Sequence, residues 1–151
     1  MLVSNKKYDL VIYGASGFTG QLICEYLSTH KDTVGLNWAI AGRDTAKLEK
    51  ISNQFSTKNK KINVLHGDSF DRSSLDSISS QSKLIISTVG PYALYGENLV
   101  ASCIDNKTHY LDLTGEPHFV YKIKEKYEQK AIDNETMIIH SCGFESIPPD
   151  I

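Results

Sequence analysis

An α/β fold is predicted: a doubly wound parallel sheet of about six strands with helices on both faces. Three observations predict it. Short apolar runs alternate with amphipathic segments along the whole chain. The runs are continuously apolar rather than alternating, which suits strands covered on both faces. The first run ends in a glycine-rich turn that opens directly into a helical segment.

The elements follow in order. Leu10, Val11, Ile12 and Tyr13 form the first strand, closed by Gly14, and Leu22, Ile23, Tyr26 and Leu27 give the next helix an apolar stripe. Residues 36–41 form the second strand, followed by a helix marked by Leu48, Ile51 and Phe55. Residues 62–65 form the third strand. The helix after it, between Asp71 and Ser80, is weaker, since only Leu75 and Ile78 mark its buried side. Residues 84–86 form the fourth strand, and Leu99, Val100, Cys103 and Ile104 stripe the following helix. Residues 110–113 form the fifth strand. Phe119, Ile123, Tyr127 and Ala131 then recur every fourth residue, with lysines and glutamates opposite. Residues 137–139 form the sixth strand. Asp44, Asp71 and Glu116 stand near helix starts, where a carboxylate complements the dipole and caps free N–H groups. Short connections between parallel strands imply right-handed βαβ units.

The 151 residues are expected to form one domain. A net charge of -2 gives no electrostatic reason to expect nucleic acid as a partner. Three cysteines without paired spacing argue against a disulfide framework and for a reducing, cytoplasmic setting. No apolar run approaches the ~18 residues of a membrane span. The ending at residues 147–151 does not read as a natural stop. A longer chain with a second, substrate-binding domain is therefore expected, and membrane or lipid contact of that longer protein stays open.

Gly14, Ala15, Ser16, Gly17, Phe18, Thr19 and Gly20 make a G-x-x-G-x-x-G loop between the first strand and helix. Gly14 permits the turn. Gly17 clears space for a pyrophosphate, and Gly20 lets the helix lie close to the sheet. The helix N-terminus offers N–H groups and partial positive charge to phosphates. A plain glycine turn is the bland alternative, but strand, loop, helix and following strand all stand where a dinucleotide-binding Rossmann fold needs them. A P-loop is excluded, because no Gly-Lys-Ser/Thr sequence occurs.

An NAD-specific site usually ends the second strand with Asp or Glu, to hold the ribose 2′-hydroxyl. Here Arg43 arrives at that corner. Its guanidinium can pair with a 2′-phosphate and stack on adenine, so NADP(H) is expected over NAD(H). Asp44 is read as a helix cap, with Lys47 adding positive charge one turn on. Asp68 sits where such folds contact adenine, or where an Asx turn leads into the next helix.

Ligands in doubly wound sheets lie beyond the carboxyl ends of the strands, where the strand order reverses. The fourth strand continues into Thr88, Val89, Gly90, Pro91 and Tyr92, expected beside the nicotinamide ribose. Val89 and Tyr92 are expected to pack on the nicotinamide or cover it. The alternative is a loop that needs Gly90 and Pro91 only for its bend. Asp112 and Glu116 are candidate site acids, with a capping role for Glu116 the alternative. His140 and Cys142 share a face if both are extended, but further metal ligands are missing and no metal is expected. Nothing gives Cys142 the base or lowered pKa of a nucleophile. Glu145 and Ser146 are placed to face substrate across a domain cleft. No tyrosine has a lysine four positions later, which removes the Tyr-x-x-x-Lys pair of short-chain dehydrogenases. No catalytic acid or base is assigned.

With these residues in place, the chain resembles the saccharopine dehydrogenase-like oxidoreductase family. The resemblance is carried by residues 13–20, 41–43, 88–96, 110–116 and 142–150. It implies NADP(H)-dependent hydride transfer to an imine or enoyl-type acceptor. The acceptor, a small molecule or lipid-like, would be held by a further domain. The Gly143–Pro148 stretch is closer to the enoyl-reductase-like and unassigned branch than to the lysine enzymes. A non-catalytic NADPH sensor or scaffold is the alternative, and the oligomeric state stays open, a homodimer included.

Overall fold

The computed structural model describes residues 6–57 and 61–143. Six parallel strands form one sheet in the order β3-β2-β1-β4-β5-β6. They are β1 (Tyr8–Tyr13), β2 (Trp38–Gly42), β3 (Asn63–His66), β4 (Ser82–Ser87), β5 (His109–Asp112) and β6 (Ile138–Ile139). The helices are α1 (Phe18–Thr29), α2 (Thr45–Phe55), α3 (Arg72–Ser79), α4 (Tyr92–Tyr95), α5 (Glu97–Asp105) and α6 (Pro117–Asp133). The sheet grows outward from β1 to β3, then returns to place β4 on the other side of β1. That reversal puts the switch point between β1 and β4, where Val11 pairs with Ala39 on one side and Ile85 on the other.

The continuous apolar runs are explained by two cores, one on each face. Leu10 and Ile12 point into a core with Cys24, Trp38, Ile40, Leu48 and Ile51, under α1 and α2. Val11 and Tyr13 point the other way, into a core with Leu75, Ile85, Leu99, Cys103, Tyr110 and Phe119, under α3, α5 and α6. A strand buried on both faces has no position to give to a polar residue.

Three details differ from the sequence expectation. First, a sixth helix is present, because Pro91 heads the four-residue turn α4, too short to show periodicity. Second, α1 does not bury Leu22 and Tyr26, which are 50% and 55% exposed. Gly20 brings this helix so close to β1 that Cys24, flanked by Ile23 and Leu27, forms its inner face. Third, β6 ends at Ile139, and Ser141 adopts a left-handed φ of 61°. The chain is therefore not extended from His140 to Cys142, and the shared face expected of these two does not form.

Candidate functional site

The glycine loop leaves β1 at the switch point. Gly14 takes φ +91°, a conformation that disfavours any side chain, and its N–H donates to the Ala41 carbonyl at 2.8 Å. The loop closes on itself through the Gly17 N–H, which donates to the Gly14 carbonyl at 3.0 Å. Gly17 heads α1 with no side-chain cap, so the first N–H groups of this helix are open to an anion. A Cβ on Gly20 would stand 2.5 Å from the Gly14 carbonyl oxygen. Thr88 braces the loop from β4, its Oγ1 donating to the Gly14 carbonyl at 3.1 Å.

At the end of β2, Asp44 Oδ1 accepts from the Lys47 N–H at 3.0 Å. That backbone bond, first among the causes, holds the Asp44 carboxyl below its ordinary pKa. Asp44 is thus the α2 cap. Its other oxygen lies 3.7 Å from Lys47 Nζ. Arg43 is exposed and in no ion pair among the described residues. At the end of β3, Asp68 Oδ1 accepts from the Phe70 N–H at 2.9 Å, an Asx turn that also places Asp68 on the cleft wall.

These ends enclose a cleft of about 420 Å³. Of the expected residues, Gly14, Ser16, Arg43, Asp68, Val89 and Gly90 line it. Ala15 is fully buried behind it, and Thr88 serves as the brace. Gly17, Phe18, Thr19 and Gly20 form the helix start beside it, and Phe18 is 81% exposed. Pro91 heads α4. Tyr92 turns away into the core against Phe119 and is 7% exposed. Tyr13, Ser69, Phe70 and Tyr95 line the cleft without having been expected there. Tyr13 OH lies 2.9 Å from Ser69 Oγ, and the Phe70 and Tyr95 rings meet edge to face at 5.5 Å. The Tyr13 contact spans 56 residues and leaves no trace in local spacing.

Beyond β5, Asp112 is fully buried and its carboxylate is fully engaged. It accepts from the N–H groups of Thr114 and Ser141 at 3.1 and 3.2 Å, and its other oxygen meets His140 Nδ1 at 2.7 Å. Burial raises the Cys142 thiol pKa, the opposite of an activated nucleophile. Among the described residues, no group of three or more His, Cys, Asp or Glu could hold a metal. Glu145 and Ser146 lie outside the described residues, as does most of the 142–150 motif. A larger, apolar groove of about 710 Å³ runs between α6 and β6 at the sheet edge, away from the glycine loop.

The cleft suits a dinucleotide: glycine backbone at the switch point, a helix start without a side-chain cap and an exposed guanidinium at the end of β2. Residues 10–139 match the family model of the saccharopine dehydrogenase NADP binding domain. The chain is 38% identical to a Caenorhabditis elegans protein named lipid droplet localized protein, over 96% of this chain and 35% of that one. It is 37% identical to the mouse saccharopine dehydrogenase-like oxidoreductase, over all of this chain and 38% of that one. It is 35% identical to a Mycobacterium tuberculosis protein named as a trans-acting enoyl reductase, over all of this chain and 36% of that one. The chain thus spans little more than a third of these relatives. Among solved structures, apo saccharopine dehydrogenase (L-Glu forming) of Saccharomyces cerevisiae superimposes with TM-score 0.72 at 21% identity, covering 92% of this chain and 28% of that one. Triphenylmethane reductase of Citrobacter, complexed with NADP(H), gives 0.63 at 16% identity, covering 88% and 48%. Both share the fold.

Proposed function

Because this chain belongs to the saccharopine dehydrogenase NADP-binding domain family, we propose that it holds the cofactor for an NADP(H)-dependent oxidoreductase acting on an imine or enoyl-type acceptor. The observation that carries the cofactor preference is the corner at the end of β2. Asp44 is committed to capping α2, while Arg43 lines the cleft and is in no ion pair among the described residues. A guanidinium in this place pairs with a 2′-phosphate, and Lys47 adds charge beside it. The open N–H groups at the start of α1 receive the pyrophosphate. Bound NADPH supplies the hydride. The chain's own residues orient it: Val89 and Gly90 wall the side of the cleft next to β4. The rest of the full-length protein supplies the acceptor site and the proton. The names of two relatives, one given as a trans-acting enoyl reductase and one as a lipid droplet localized protein, support a lipid-like acceptor.

The test is titration of the full-length protein with NADPH and NADH, for wild type and Arg43→Ala. A preference for NADPH of tenfold or more, about 1.4 kcal/mol, is expected, and Arg43→Ala is expected to abolish it. Equal affinity for the two nucleotides in the wild type would sink the NADP assignment. Tight NADPH binding without turnover on imine and enoyl acceptors would favour a sensor or scaffold.

A further inference from the structure

Glu116 heads α6, yet its side chain does not cap that helix. The carboxylate reaches sideways to the segment leaving β4. It accepts from the Tyr92 N–H at 2.7 Å and from the Ala93 N–H at 3.0 Å, across 24 and 23 residues of sequence. The same segment is tied a second time by Tyr92, whose hydroxyl donates to the Ser87 carbonyl at 3.0 Å and accepts from the Leu113 N–H at 3.3 Å. Burial pushes the Tyr92 phenol up to about 12, so it stays protonated and keeps donating. Glu116 is itself held, its N–H donating to Thr114 Oγ1 at 3.1 Å, while Ser141 Oγ donates to the Thr114 carbonyl at 2.8 Å. The exits of β4, β5 and β6 are thereby one hydrogen-bonded frame.

We propose that Glu116 is a positioning residue for the nicotinamide half of the cofactor. This rests on the reading that the nicotinamide passes the exit of β4. Its two bonds fix Tyr92 and Ala93, which follow the cleft-lining pair Val89 and Gly90 after one residue, Pro91. Gly90 cannot fix that wall itself, since it is exposed and has no side chain to pack. Bonds from N–H to a carboxylate are short and roughly twice as strong as neutral ones, which suits them to the task. The adenosine half is held elsewhere, by the ends of β2 and β3, and neither is bonded to Glu116. A residue serving only stability would affect both halves of the cofactor alike. A positioning residue separates them.

The experiment titrates full-length protein with NADPH and with adenosine 2′,5′-bisphosphate, which lacks the nicotinamide half. Wild type, Glu116→Ala and Glu116→Gln are compared. Glu116→Ala is expected to weaken NADPH by tenfold or more and leave adenosine 2′,5′-bisphosphate within twofold. Glu116→Gln retains one acceptor oxygen and is expected to fall between. Equal weakening of both ligands, or of neither, overturns the proposal. Should Glu116→Ala fail to fold, Glu116→Gln carries the same comparison, and an equal change in both ligands overturns it there. If wild-type protein binds neither ligand, the cofactor reading falls and this inference with it.

Discussion

Replacing Gly20 with alanine separates two effects that a glycine loop normally confounds. The new Cβ would stand 2.5 Å from the Gly14 oxygen and 2.7 Å from Ala15 Cα, both backbone atoms that no rotamer change can move. Ordinary contact begins at 3.4 Å, so α1 must shift by about 0.9 Å. Overpacking of this kind costs about 1–3 kcal/mol, against about 1 kcal/mol regained from alanine's better helix propensity. The net loss of stability is therefore about 0–2 kcal/mol. Binding suffers more, because a shift of that size takes N–H groups at the start of α1 out of hydrogen-bond range of a bound pyrophosphate. Losing even one bond to a charged group costs about 1.5–3 kcal/mol, a tenfold or greater loss of NADPH affinity. Gly17→Ala is the control. Its φ is -78° and its Cβ meets only the Gly14 oxygen, at 3.4 Å. Stability should hold while NADPH binding falls, since the methyl group occupies pyrophosphate space. Urea unfolding followed by Trp38 fluorescence, with NADPH titration of each variant, gives both quantities. A Gly20→Ala protein that binds NADPH like wild type would refute the close-packing argument.

Acid should weaken the fold through Glu97. Its bonds to Lys122 and Lys126 hold the carboxyl at about 2, against an unfolded value of 4.5. Stability from this group is present above 4.5 and lost as pH falls towards 2. The lysines are more than half exposed, so screening limits the effect to about 1 kcal/mol. Urea midpoints across that range should fall less steeply in Glu97→Gln, and parallel curves would count against the assignment. Among the thiols, Cys142 is half-buried whereas Cys24 and Cys103 are buried, and burial pushes the Cys24 thiol up to about 12. A thiol reagent should modify Cys142 in the native protein and reach the other two only on unfolding. Native-state labelling of Cys103, read by mass spectrometry, would contradict the packing of α5.

Much of this architecture was legible in the sequence because its signals are local. A strand buried on both faces must be continuously apolar, so Leu10 to Tyr13 reveals β1 without any partner in view. The Asp44 cap and the Asp68 turn complete their bonds within a few residues, and the glycine loop closes on itself through Gly17 and Gly14. Local spacing also misled. Leu22 and Tyr26 fit a helical stripe as well as Ile23 and Leu27 do, and only the close approach at Gly20 decides which face turns inward. The turn α4 has too few residues for any period to show. Tyr13 reads as one more apolar strand residue, and its hydroxyl contact with Ser69 exists only once β1 and β3 are two strands apart in one sheet.

The same division runs through the cleft. On the side of β1, β2 and β3, the side-chain caps and turns are mostly local, as at Asp44 and Asp68, with a few ties such as Thr88 to Gly14 joining neighbouring loops. On the side of β4, β5 and β6, the loops are shaped by one another: Glu116 fixes Tyr92, Thr114 fixes Glu116, and Ser141 and Asp112 bind the last two exits together. A change in the first group should act on one contact with the cofactor. A change in the second should propagate, because bonds that share partners are not additive. Asp112 is the sharpest case. Asp112→Ala removes the shared acceptor of the Thr114 and Ser141 N–H groups and the partner of His140 Nδ1. An unmet buried donor costs about 1–3 kcal/mol. Its loss should therefore appear in stability and, through Thr114 and Glu116, in the affinity for NADPH. In a double-mutant cycle with Glu116→Ala, the two effects on NADPH affinity should fall well short of their sum. Strict additivity would mean that the three exits act independently.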